Sequence, residues 1–146
     1  MPFLIISDSD TPVISPIGVG ILKTDGHPMT NPLHPSWCVN DTYPNNEGIR
    51  ELMIFNYDTQ ERFDLGQYKR LFAEPEMSLK QDFFRYIDKH ILSTVSENLL
   101  SFTRSGLHCD LHPRWTYDGK DVVFDSIHEG TRQIYAINVD NIINSK

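Results

Sequence analysis

Asp110-Leu111-His112-Pro113-Arg114-Trp115-Thr116-Tyr117-Asp118-Gly119-Lys120-Asp121-Val122-Val123-Phe124-Asp125-Ser126 carries a tight-turn signal, Tyr117 to Lys120, between two strand signals. Its apolar run from Val122 to Phe124 stops at an aspartate. The same unit occurs earlier in the chain. Asp25-Gly26-His27-Pro28 opens the first copy as Asp110-Leu111-His112-Pro113 opens the second. The copies then run in step. Cys38-Val39-Asn40-Asp41-Thr42 matches Val122 to Ser126, and Glu47-Gly48-Ile49-Arg50 matches Glu129-Gly130-Thr131-Arg132. Leu52 to Asp58 matches Ile134 to Asp140. A third, partial copy lies at the start, where Asp10 to Gly18 parallels Asp58 to Gly66. Such self-similarity marks an array of supersecondary units, each unable to bury its own apolar face.

The units read as small antiparallel sheets. Trp37 to Asn40, Leu52 to Tyr57, Asp121 to Phe124 and Ile134 to Val139 are short β-rich runs, and Asp58 to Glu61 is a second, weaker turn signal. Four short strands in each unit of roughly forty residues is the blade pattern of a β-propeller. On these residues the chain resembles the WD-like bacterial propellers of the Tol-system kind. The carriers are His112-Pro113-Arg114-Trp115, Asp118-Gly119-Lys120, Val122 to Ser126 and Arg132 to Tyr135. The Asp-x-His-Pro openings and Asp41-Thr42-Tyr43-Pro44 are similar to propellers related to oligogalacturonate lyase.

The expectation is an all-β chain of propeller blades with a helical insertion. Residues 1–24 are the end of a preceding blade, with Phe3 to Ile6 as its third strand. Residues 25–66 form one four-stranded blade, 67–109 an inter-blade helical insertion, and 110–146 a second four-stranded blade. Within the insertion, Ser78-x-x-Gln81 and Thr94-x-x-Glu97 are capping boxes. Leu79, Phe83, Ile87 and Ile91 recur behind the first, and Val95, Leu99 and Phe102 behind the second, which predicts two helices within 76–103. A closed propeller typically needs about four blades. The simplest expected account is therefore a C-terminal fragment of a larger propeller; the other is that several copies of the chain, or a partner chain, complete the ring.

Composition sets bounds. A chain that is 39% apolar and 11% aromatic suits a packed globular protein. Net charge of −7 argues against nucleic-acid or anionic-membrane partners, which need clustered Lys and Arg. No membrane span or leader is visible, so a cytoplasmic protein is expected, or a periplasmic one if a leader precedes Met1. Cys38 and Cys109 are read as reduced thiols, not as a disulfide.

Strand alternation within a blade places Asp25, His27, Asp110 and His112, the second-to-third-strand loops and the insertion on one face. Two imidazoles and carboxylates from adjacent units are a plausible divalent-metal set. The lyase resemblance implies His27 and His112 as ligands of manganese or another divalent ion. It places Asp110 where a further histidine would stand, and gives Arg50 and Arg132 the role of holding substrate carboxylates. The competing expectation is structural: His27 ties to Asp41 and His112 to Asp125 or Ser126, each within its own blade, and the arginines pair with strand-end acids. Trp37 and Trp115 are read as packing aromatics. Two functions follow. One is a binding or scaffold module for carbohydrate or a protein partner; the other is a metal-assisted oligogalacturonate-type lyase acting by β-elimination.

Overall fold

Alternating side chains make each strand two-faced, and here successive sheets cover one another's faces. The computed structural model describes residues 3–69, 109–130 and 132–145. An amino-terminal hairpin comes first, β1 (Phe3–Ile6) and β2 (Ile14–Ile17). The first unit is a four-stranded antiparallel sheet: β3 (Met29–Thr30), β4 (Trp37–Asp41), β5 (Ile49–Asn56) and β6 (Arg62–Lys69), hydrogen-bonded in that order. The second unit has β7 (Arg114–Trp115), β8 (Asp121–Ser126) and β9 (Gln133–Asn138), then one helical turn, α1 (Asp140–Ile143).

The units stack in chain order. On the forward face of the first unit, Trp37, Val39, Leu52 and Ile54 enter one core cluster with Leu111, Trp115, Val122, Phe124 and Val139 of the second. On its rear face, Cys38, Met53 and Phe55 cluster with Leu22, and Phe3 of the hairpin packs against them. Central strands buried on both sides explain why β4 and β5 read as continuous apolar runs. Trp37 and Trp115 are both core residues, and the Trp115 indole N–H donates to the Met29 carbonyl at 2.8 Å across the junction.

The repeat extends to backbone devices. Gly48 and Gly130 both have positive φ, 76° and 97°, in the loops before β5 and β9. Each donates its N–H three residues back, to Asn45 and to Ile127, at 2.9 Å. Glycine is needed there because an L side chain would strain the left-handed backbone.

The architecture is all-β in its described sheets, and those sheets are not closed into a ring. One expectation changes. Among the described residues the second unit has three strands: where a fourth was expected, the chain turns into α1, and Ile143 is drawn into the shared core. In the first unit β6 runs to Lys69, which pairs with Ile49 of β5. The two expected helices within 76–103 lie outside the described residues.

Candidate metal centre at the junction of the units

Asp41 ends β4 with its side chain fully buried, and both unit openings converge on it. Oδ1 accepts the His27 backbone N–H at 2.7 Å, and Nδ1 of the same histidine lies 2.9 Å from it. Oδ2 accepts the backbone N–H of His112, from the second unit, at 3.2 Å. Gly26 makes the first approach possible, since a Cβ there would collide with the Asp41 carbonyl. Leu111, its counterpart, instead fills the core between the units.

The two imidazoles meet across the junction. Their ring centroids are 4.3 Å apart at an interplanar angle of 61°. His112 holds φ at 39°, a left-handed conformation unusual for a non-glycine residue and frequent at functional sites. One ligand atom each from His27, Asp110 and His112 lies within 4.8 Å of the other two. Ligands of a shared ion at about 2.1 Å stand no more than about 4.2 Å apart, a spacing close to that of this set. Asp110 is buried, His27 half-buried and His112 exposed, which leaves the set open to solvent on one side.

The donors fit a divalent ion. Asp41 orients the His27 ring through Nδ1, the carboxylate–histidine arrangement that supports metal-bound imidazoles. Two imidazoles and a carboxylate suit manganese, ferrous iron or zinc. Asp110 is further anchored by Arg50, whose Nε and Nη2 donate to Oδ1 at 3.2 and 3.1 Å in a buried pair. Burial pushes the neighbouring Cys109 thiol up.

Of the residues expected to matter, His27, His112 and Asp110 come together, with Arg50 behind them. Arg132 is exposed and donates to Asp125 at 3.0 Å, which raises its pKa. The expected tie between His27 and Asp41 is formed. The expected tie of His112 to Asp125 or Ser126 is not: Asp125 accepts from Arg132, and the Ser126 hydroxyl is 2.8 Å from Nδ1 of His128. His112 instead engages the preceding unit's aspartate through its backbone, which frees its ring for the junction. Asp41 was not expected to serve both units; its complete burial is a non-local property that repeat spacing does not reveal.

Among known proteins, no family model, curated protein or solved structure matches this chain. Among the described residues, no helix is long and apolar enough to cross a membrane.

Proposed function

We propose that the chain is part of a β-propeller of the WD-like bacterial kind. In it the hairpin, first unit and second unit are successive blades, and the module binds an oxygen-rich ligand at a divalent-metal centre between two of them. The observation that carries this is the convergence of His27, Asp110 and His112 within 4.8 Å, with Asp41 behind the His27 ring. A bound divalent ion supplies Lewis-acid polarisation of carboxylate or hydroxyl oxygens, as found in sugars and acidic peptides. His27 and His112 hold it from two units, so its occupancy also clamps the junction. Arg50 neutralises part of the carboxylate charge at Asp110 and fixes that side chain from the buried side.

The second reading is a metal-assisted lyase on an acidic polysaccharide, favoured by the exposed cationic fork of Arg132 in the loop before β9. Arg132 would hold a uronate carboxylate once released from Asp125. Arg50 is too deeply buried to do so.

Equilibrium dialysis against manganese and zinc tests the first reading. One ion per chain is expected in the wild type, and none in His27→Ala or His112→Ala. No bound metal under any loading condition would overturn it. Incubating the metal-loaded protein with oligogalacturonate separates the two readings: unsaturated products establish the lyase, and metal-dependent retention of intact oligosaccharide establishes the binding module.

A further inference from the structure

Among the described residues, the faces that form the unit-to-unit junction inside the chain have exposed counterparts on the second unit and on the hairpin. In the first unit, Val39, Leu52 and Ile54 on the forward face are buried by the second unit. Their repeat partners in the second unit are Val123, Ile134 and Ala136. Those residues face away from the first unit, and Ile134 is 75% exposed.

The hairpin presents the complementary half. The bond from Ser7 N–H to the Val13 carbonyl matches that from Asn56 N–H to the Glu61 carbonyl, which sets Leu4 and Ile6 at the positions of Met53 and Phe55. In the second unit those positions are Tyr135 and Ile137, which pack against the first unit's forward core. Phe3 points into the molecule, while Leu4 and Ile6 point outward and are 60% and 63% exposed. Isolated exposed apolar residues are ordinary, but two contiguous faces related by an interface the chain already makes are not.

We propose that a second copy of this chain seats the Leu4–Ile6 face of its hairpin on the Val123–Ile134–Ala136 face of the second unit, repeating the internal junction as a head-to-tail contact. Such a contact is heterologous: it closes into a ring if the rotation per copy allows, and otherwise grows. The inference rests on the sheet equivalence and not on metal binding.

Sedimentation velocity on the full chain tests it. The wild type is expected to show concentration-dependent species larger than a monomer. Ile134→Glu, and separately the double change Leu4→Glu with Ile6→Glu, should each be monomeric with an unaltered melting curve. Each variant keeps one intact half, so an equimolar mixture should form a heterodimer and nothing larger. A monomeric wild type, variants that associate like the wild type, or a mixture that stays monomeric would each overturn the proposal. Ala136→Glu repeats the test on the same face should Ile134→Glu misfold.

Discussion

Asp41 is the residue on which both units depend, because its buried carboxylate accepts backbone N–H groups from His27 and His112. Asp41→Ala leaves those donors and the His27 ring without their acceptor, and should cost roughly 1–3 kcal/mol, read as a lowered denaturant midpoint. Asp41→Asn keeps the shape but sets an N–H donor where one carboxylate oxygen accepts a backbone N–H, so stability should fall, and weaker orientation of the His27 ring should lower metal affinity about 10- to 100-fold. The Arg50–Asp110 pair makes a different demand. Arg50→Met takes the guanidinium away from a buried carboxylate and should destabilise by about 3–5 kcal/mol, read as a lowered denaturant midpoint. Tyr57 gives a pH signature. Desolvation pushes its phenol up to about 12 from an ordinary 10.0, with Thr30 hydrogen-bonded to it. A pKa raised by folding means stability that is complete below pH 10.0 and lost as pH rises towards about 12. Chemical denaturation across that window should show the decline, and Tyr57→Phe should flatten it.

At the scale of elements, strands and turns were legible because their signals are local. The runs at Trp37, Leu52, Asp121 and Ile134 became β4, β5, β8 and β9 within a few residues, and the turn at Asp118-Gly119 formed with Gly119 donating to Thr116 at 2.9 Å. The missing fourth strand of the second unit was not legible. Asp140 to Ile143 takes a helical turn because that delivers Ile143 to a core shared with another unit, which is a tertiary demand. The candidate site was legible in its residue types and not in its wiring. Asp-x-His occurs twice, yet the copies behave differently: one ring is held by its own unit's aspartate, and the other is turned towards its neighbour at positive φ. Gly26 marks that asymmetry. Gly26→Ala should displace the end of β4 and the opening of the first unit, lowering stability and abolishing metal binding together. The reverse change in the second unit, Leu111→Gly, should lower stability through lost packing in the shared core. A Gly26→Ala protein with wild-type melting and metal affinity would refute this role.

For the whole molecule, stability is a property of junctions more than of sheets. The larger core cluster draws on both units, so neither forward nor rear faces are satisfied by one sheet alone. Leu52→Ala, at a fully buried position of the first unit, should cost about 2–5 kcal/mol and shift one cooperative transition. Hydrogen exchange should show β8 of the second unit losing protection together with β5; protection of β8 that survives would mean the units unfold separately. The functional claim also lives at a junction, since neither His27 nor His112 makes a metal site within its own unit. Electron spin-echo spectroscopy of manganese bound to the full chain reads this directly. The account predicts couplings to two imidazole nitrogens in the wild type, and no protein-bound manganese signal in His27→Ala or His112→Ala. A manganese signal without nitrogen coupling, or one unchanged by either substitution, would contradict a metal centre shared between the two units.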